Sequence, residues 1–148
     1  SFPRQARQIR PQLKFYYAAN LPVYSTSHVF SGEKDSTSDR DMDGITFCDM
    51  PWIFTGGKGH NPEWKDFTKI WKNTATPYKR LYAMGIDAYK LITQRDQLRN
   101  KPEQHIAAET GSHYLDDANR VHRQLLWAKV KRGTPRLIES TIESGSRL

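Results

Sequence analysis

The sequence predicts an α/β domain, because short strands alternate with segments of helical periodicity. Two runs rich in β-forming residues, 23–26 and 45–48, are separated by a polar loop, and segments with helical spacing of apolar residues lie before and after them. The 148 residues are enough for one domain or for one piece of a larger domain. Two such strands are too few for a complete doubly wound sheet, so we expect a lobe of a larger fold.

The first predicted helix covers residues 3–19, with basic residues on the face opposite to its apolar residues. The apolar positions are Ala6, Ile9, Leu13 and Tyr16 or Tyr17. Pro11 is a complication, because a proline inside a helix removes a hydrogen bond and bends or ends the helix. Two alternatives therefore stay open, one kinked helix or a second, shorter helix that begins at Pro11.

The segment 31–44 is predicted to be a polar loop, since it has no apolar periodicity. Its residues 39–44 match the opening of a calcium-binding loop, but position 12 of that motif needs a glutamate and is Met50 here. A solvated acidic loop is the better interpretation. The strand that follows ends before Pro51, because proline cannot continue a central ladder.

Two more helices are predicted after a glycine-rich loop at 55–62. The first begins at Asn61-Pro62 and runs to residue 73, and the second covers residues 77–99. One stripe of the second helix contains Leu81, Met84, Ala88, Leu91, Arg95 and Leu98, with Tyr82, Ile86 and Tyr89 beside it.

The last third of the chain is predicted to be mainly extended. Its elements are a strand at 111–115, a turn at 116–119, an extended segment at 121–131, and a β-hairpin with its turn at 133–135 and its return strand at 136–138. A helix is the alternative for the extended segment, because Val121, Leu125 and Leu126 also fit helical spacing. Residues 139–148 are predicted to be a frayed tail.

The net charge of +7 favours an anionic partner: nucleic acid, an anionic membrane face, a cell-wall polymer or an acidic protein patch. Composition does not choose among them. Residues 119–136 carry six basic side chains and no acidic one. Alternating basic residues on a hairpin are common, and nucleic-acid binding is therefore the least favoured function. No apolar run approaches the roughly 20 residues of a membrane span.

No catalytic or metal-binding motif is present in the sequence. The single cysteine, Cys48, lies in an apolar run and is predicted to be a small buried hydrophobic residue. The five histidines lack metal-ligand spacing, and neither G-x-S-x-G nor the phosphate-binding G-x-x-x-x-G-K-[ST] occurs. These absences agree with a protein that is not an enzyme and uses no cofactor or metal, an expectation that the family resemblance described next implies, with a hydrolase kept as a lesser hypothesis.

Five strings in a fixed order carry a family resemblance. They are FPRQARQIRPQL (2–13), LPVYSTS (21–27), DMDGITFCDMPW (41–52), RLYAMGIDAY (80–89) and RVHRQLLWA (120–128), the last preceded by Thr110-Gly111 and Leu115-Asp116. Together they resemble the carboxy-terminal domain of the LppC family, the LpoA-type outer-membrane lipoproteins, over residues 2–138.

The resemblance implies part of a type I periplasmic-binding-protein fold, in which two α/β lobes enclose a cleft. Residues 1–138 are then a fragment of the carboxy-terminal domain. It also implies a parent protein with a lipid anchor on the periplasmic side of the outer membrane. The parent's partner would be a class A penicillin-binding protein, whose peptidoglycan cross-linking the parent stimulates. The lipidated cysteine, the helical-repeat domain and the first part of the binding fold are not in this sequence, so we expect the fragment itself to be soluble.

Ligands of such folds bind where strands end at the cleft. The candidate residues are Ser27 and His28 after the first strand, Asp49 and Trp52 after the second strand, and Tyr82 near the start of the long helix. The alternative is that Trp52 and Tyr82 only pack the surface between the lobes.

Asp87, in the long helix, could make a structural hydrogen bond or touch a ligand. The leading functional hypothesis is a regulator that acts by binding a synthase. The alternative is a solute-binding lobe that senses a small ligand, such as a cell-wall fragment.

Overall fold

The computed structural model describes residues 2–33, 35–55, 78–100 and 104–138. Most of the glycine-rich loop, the helix predicted up to residue 73 and the tail at 139–148 lie outside these ranges. Within the described ranges, none of the helices has the length and apolar character needed to cross a membrane.

The first half contains α1 (Pro3–Phe15), β1 (Val23–Ser25), 3-10 turns at Ser27–Val29 and Ser38–Met42, β2 (Ile45–Asp49) and α2 (Pro51–Thr55). The second half contains α3 (Lys79–Thr93), α4 (Arg95–Asn100), β3 (Ile106–Ala107), β4 (Ser112–Leu115), β5 (Val121–Gln124), β6 (Leu126–Lys131) and β7 (Thr134–Leu137). The mixed α/β architecture, its two short parallel strands and the hairpin near the carboxyl end are confirmed.

The described strands form two sheets. One has the order β1-β2-β6-β7, in which β1 and β2 are parallel and the other pairs are antiparallel. The other is the antiparallel sheet β3-β4-β5. The extended segment predicted at 121–131 is present as β5 and β6, one in each sheet, with Leu125 between them. The helical alternative for this segment is wrong, because both halves are paired in strand ladders.

Helix α1 is continuous through Pro11, so the alternative of a second helix is wrong. It ends earlier than predicted. At its end, Tyr17 adopts a φ of 60°. The amide of Ala18 donates to the carbonyl of Leu13 at 2.8 Å, and the amide of Tyr17 donates to the carbonyl of Lys14 at 3.2 Å. This pair of bonds is a Schellman motif, which satisfies the last carbonyl groups of the helix and turns the chain towards β1.

The prediction of a solvated acidic loop holds for Glu33, Asp35 and Asp41, which are exposed, but it is wrong for Asp39 and Asp43. Asp39 is only 1% exposed and pairs with Arg7 of α1 at 2.7 Å. The carboxylate of Asp43 accepts the backbone amides of Arg132 and Gly133, at 3.0 and 2.8 Å. The loop is therefore held between α1 and the β6–β7 hairpin. Asp39 and Asp43, which match the start of a calcium-binding motif, bind donor groups of the protein itself.

The hydrophobic core lies between one face of the four-stranded sheet and the helices and turns that cover it. Its buried members are Ala6, Val29, Phe30, Met42, Ile45, Phe47, Met50, Trp52, Ile53, Ala83, Ala128 and Val130. Burial alternates along β2 and β6, as expected when one face of a sheet is covered. Cys48 is on the opposite face and is half-buried, so the prediction of a buried thiol is wrong.

The long helix predicted at 77–99 is interrupted at Gln94, which separates α3 from α4. Apolar stripes usually mark the buried face of a helix. On α3, however, Leu81 is 61% exposed and Met84 is also exposed, whereas Ala83 and Asp87 face the interior. Spacing therefore located an apolar face of α3, and the described residues leave most of that face uncovered.

Candidate functional site at the strand ends

Three of the residues proposed as ligand contacts meet at one edge of the four-stranded sheet. Because β1 and β2 are parallel, with Ser25 opposite Phe47, their carboxyl ends are adjacent. Ser27 and His28 follow β1 in a 3-10 turn, and Asp49 is the last residue of β2. His28 is exposed, Ser27 is half-buried and Asp49 is buried.

Arg80 of α3 connects the two strand ends and was not among the sequence candidates. Its Nη2 donates to Asp49 Oδ2 at 2.5 Å, and its Nε donates to Asp49 Oδ1 at 3.3 Å. The same Nη2 also donates to the carbonyl oxygens of Ser27, at 3.2 Å, and of Phe30, at 2.9 Å. We call Arg80, Asp49 and these two carbonyl groups the strand-end clasp.

One feature of the sequence could have identified Arg80. A cation in the first turn of a helix interacts unfavourably with the helix dipole, and a carboxylate partner offsets this cost. Lys79 and Arg80 both occupy this position in α3, and each pairs with a carboxylate, that of Glu33 and that of Asp49 respectively. Which carboxylate each would meet does not follow from spacing, since the partners are distant in sequence.

The carboxylate of Asp49 is fully engaged. It is 1% exposed, and besides Arg80 it accepts the backbone amide of Met50 at 2.8 Å. A buried ion pair with this geometry is costly to break, because either partner alone would be an uncompensated charge. The clasp therefore fixes the turn after β1, the end of β2 and the start of α3 in one arrangement.

Trp52 and Tyr82 are placed differently from the other candidates. Trp52 is 2% exposed, packs in the hydrophobic core, and its backbone amide donates to the carbonyl of Glu109 at 3.1 Å. A ligand at the strand ends would therefore meet little of its indole. Tyr82, two residues after Arg80 on α3, is half-buried. Ligand binding by the five candidate residues stays a prediction.

A second polar cluster contains Asp87. Its carboxylate accepts the amide of Glu109 at 2.9 Å, the amide of Thr110 at 2.6 Å and the hydroxyl of Thr110 at 2.6 Å, and it lies 3.3 Å from His113 Nε2. All of these groups are buried. Of the two roles left open for Asp87, the structure shows the structural one: it fastens α3 to the turn before β4.

The same cluster has the composition of a hydrolytic triad, because Thr110 Oγ1 lies 3.1 Å from His113 Nε2. The geometry does not suit that chemistry. The hydroxyl already donates to Asp87, and His113 Nε2 faces the same carboxylate. The imidazole is thus not placed to take the hydroxyl proton, and the burial of Thr110 keeps a substrate away.

The three-stranded sheet carries a stack of rings. The ring of Tyr114 lies 4.8 Å from that of His105 and 5.2 Å from that of His122, both nearly parallel to it. His122 Nε2 lies 2.8 Å from Asp116 Oδ2. This hydrogen bond, followed by those from Arg120, lowers the pKa of Asp116 well below its ordinary value.

Comparison with known sequences identifies similar proteins. A profile of the family described as LppC putative lipoprotein matches residues 1–133. The chain is 30% identical to the penicillin-binding protein activator LpoA of Vibrio vulnificus over 105 residues, which are 71% of this chain and 16% of that protein. It is 30% identical to LpoA of Haemophilus influenzae over 118 residues, 77% of this chain and 20% of that protein. It thus spans about a fifth of the length of these relatives.

Solved structures show the same fold. The carboxy-terminal domain of Haemophilus influenzae LpoA, described as a regulator of PBP1A, matches with a TM-score of 0.72 and 24% identity over 93% of this chain and 42% of that one. A putative branched-chain amino acid ABC transporter protein of Chromobacterium violaceum matches with a TM-score of 0.60 and 26% identity, over 87% and 40%. The periplasmic-binding-protein-like fold is confirmed. Because the family profile matches nine-tenths of the sequence, this chain belongs to the LppC putative lipoprotein family.

Proposed function

We propose that this chain is part of a non-enzymatic periplasmic regulator that binds a class A penicillin-binding protein and stimulates peptidoglycan cross-linking. One observation carries the proposal. The chain belongs to the LppC family, and 93% of it superimposes on the carboxy-terminal domain of a protein described as a regulator of PBP1A. Curated relatives are named penicillin-binding protein activators.

Structural contacts account for the two polar clusters. The carboxylates of Asp49 and Asp87 are both saturated with donors from the protein and hold secondary-structure elements together. A regulator needs no reacting group of its own, since its partner performs the chemistry. It shifts the partner towards the active state by binding that state more tightly. A surface of about 800 Å² on each partner is sufficient for such an interaction.

We place the parent protein on the periplasmic side of the outer membrane, held by a lipid anchor. The family description, a putative lipoprotein, supports this placement. The anchor would belong to the parent and not to Cys48, because that residue lies inside β2.

The test is peptide cross-linking by a class A penicillin-binding protein on lipid-linked precursor. The rate is measured with no addition, with the intact parent protein, and with a parent that lacks this segment. The proposal expects stimulation by the intact parent and loss of stimulation on deletion. No stimulation by the intact parent, with a synthase from the same organism, would overturn it.

The second candidate function is a solute-binding lobe. The specific observation in its favour is the similarity to the putative branched-chain amino acid ABC transporter protein. A ligand that binds only the folded state raises the melting temperature of the protein, and the increase grows with the ligand concentration. Under this alternative, cell-wall fragments or amino acids would raise the melting temperature of the parent, and substitution of Ser27 or His28 would reduce the increase.

A further inference from the structure

The outer face of the four-stranded sheet bears a groove that the strand-end clasp does not involve. The groove has a volume of about 550 Å³. It is lined by Tyr24, Thr46, Trp127, Lys129, Lys131, Arg136, Leu137 and Ile138. A sheet whose strand pairs are mostly antiparallel can pack one face on the core and leave the other face open. In the described part of the chain this face is open, and Tyr24 is 68% exposed. Large exposed aromatic and aliphatic side chains in one patch are typical of an interaction surface.

A row of side chains crosses all four strands of this face. Tyr24 is paired with Thr46, Thr46 with Lys129, and Lys129 with Arg136. Like charges directly opposite each other across a ladder are destabilising. Lys129 and Arg136 have this arrangement, and Lys131 adds a third cation on the same face of β6.

These three cations form no ion pair with a carboxylate of the described residues. Some other basic side chains, such as Arg7 and Arg80, do have such partners, whereas the exposed Arg4 and Lys14 of α1 have none among the described residues. Within the described part of the chain the positive charge of the groove is therefore uncompensated, and a negatively charged partner would relieve the repulsion between Lys129 and Arg136. The three cations of the groove are complementary to carboxylates.

The apolar part of the groove narrows the class of partner. The rings of Tyr24 and Trp127 are 6.3 Å apart and perpendicular, at 89°. Perpendicular rings do not provide the parallel faces on which successive bases of a single strand stack. They do form a pocket wall for an aliphatic or aromatic side chain. Lys129 and Lys131 are two residues apart on one strand, about 7 Å. An extended peptide presents alternate carboxylates with the same spacing.

We propose that this basic aromatic groove docks an extended acidic segment of the synthase, with carboxylates on Lys129, Lys131 and Arg136 and an apolar side chain against Tyr24 and Trp127. The identity of the partner rests on the proposed function. The preference for an acidic, partly apolar peptide rests on the groove alone, and the two can be tested separately.

The first experiment uses a fluorescein-labelled peptide of alternating Glu and Leu, titrated with the 148-residue chain. Fluorescence anisotropy gives the Kd. The variant Lys129→Glu/Arg136→Glu is compared with Arg4→Glu/Lys14→Glu, which makes the same change of net charge on exposed positions of α1. We expect about 30-fold weaker binding for the groove variant and less than about 3-fold for the control. A peptide of alternating Lys and Leu should not bind.

Equal binding by the groove variant and the control would overturn the proposal. Circular dichroism checks that both are folded. If the double variant is not, the milder Arg136→Gln replaces it, for which we expect about 5-fold weaker binding. The titration is repeated with the intact parent protein. Binding by the chain but not by the parent would mean that the rest of the parent covers the groove, which would also contradict the proposal.

The second experiment measures the affinity of the same variants for the synthase. Wild-type binding that only the groove variant weakens supports the proposal. Equal binding by all three proteins would refute the groove as the docking surface and leave the proposed function intact. Peptide binding in the groove without any wild-type affinity for the synthase would instead count against the proposed function.

Discussion

Arg80 and Asp49 show how strongly one buried carboxylate constrains its surroundings. Asp49 ends a central strand, where its side chain is 1% exposed, and a charge in that position needs a partner. Arg80 donates from Nε and Nη2 to the carboxylate, and the same Nη2 also reaches two carbonyl oxygens, those of Ser27 and Phe30. One side chain of α3 thus organises the ends of both parallel strands.

Replacement of Arg80 by Met is expected to lower the free energy of unfolding by about 3 kcal/mol, because Asp49 would keep its burial and lose its counter-charge. The control is Arg95→Met. Arg95 is well exposed and pairs only weakly, at 3.8 Å, with exposed Asp96, so its loss should change stability by less than about 0.5 kcal/mol. Urea unfolding measures both. Similar values for the two variants would show that the clasp does not stabilise the fold.

Asp116 makes stability depend on pH. Hydrogen bonds from His122 and then Arg120 lower its pKa in the folded state. A carboxyl group with a lowered folded pKa contributes stability above its unfolded pKa, near 4, and loses the contribution as the pH falls towards the folded value. The difference in melting temperature between wild type and Asp116→Asn should therefore shrink between about pH 4 and pH 2.

Melting curves at pH 5, 4, 3 and 2 would measure this difference. Asp117→Asn is the matched control, since the carboxylate of Asp117 makes no hydrogen bond with the described residues. If the difference in melting temperature between wild type and Asp116→Asn stayed constant from pH 5 to pH 2, the role assigned to the His122 contact would be contradicted.

The β6–β7 hairpin illustrates how turn chemistry fixes an element. Its turn lies at Arg132 and Gly133, with φ of 52° and 68°, one residue earlier than the predicted turn at 133–135. The carboxylate of Asp43 accepts both turn amides. Pro135 then pairs with Val130 in the edge strand β7, a position where proline is tolerated.

Two glycine substitutions should have opposite effects. A Cβ at Gly133 would lie 2.3 Å from the carbonyl oxygen of Ser36, and the positive φ adds strain, so Gly133→Ala should destabilise by about 3 kcal/mol. A Cβ at Gly85 in α3 would meet nothing within 4 Å, so Gly85→Ala should stabilise the helix by about 0.5–1 kcal/mol. Urea unfolding distinguishes the signs. Stabilisation by Gly133→Ala would disprove the tight packing of this turn.

Strands β1 and β2 and the hairpin could be predicted from local composition, because alternation and turn residues act within a few positions. The environment of α3 could not. Its periodicity identified an apolar face containing Leu81 and Met84, but which face is buried depends on what the rest of the fold places against it. The contacts of Asp39 and Asp43 in the acidic loop could not be predicted for the same reason, since Arg7 and the hairpin amides are distant in sequence.

The strings that carried the family resemblance hold the residues that fasten the whole molecule together. The string at 41–52 contains Asp43 and Asp49, and that at 80–89 contains Arg80 and Asp87. Each of these four side chains joins elements that are far apart in the chain. The strings that match the family therefore contain residues whose contacts hold this fold together. The resemblance placed Ser27, His28 and Asp49 at one edge but could not reveal Arg80 as their common partner, because spacing alone does not pair distant residues.

At the level of the entire chain, the proposed mechanism requires binding and stimulation to occur together. In a single titration, the synthase is mixed with increasing amounts of the intact parent protein, and the bound fraction and the rate of peptide cross-linking are recorded in the same samples. We expect saturable binding and a rate that rises in proportion to the bound fraction, with no product from the parent protein alone. Binding to saturation that leaves the rate unchanged would contradict the proposed regulation.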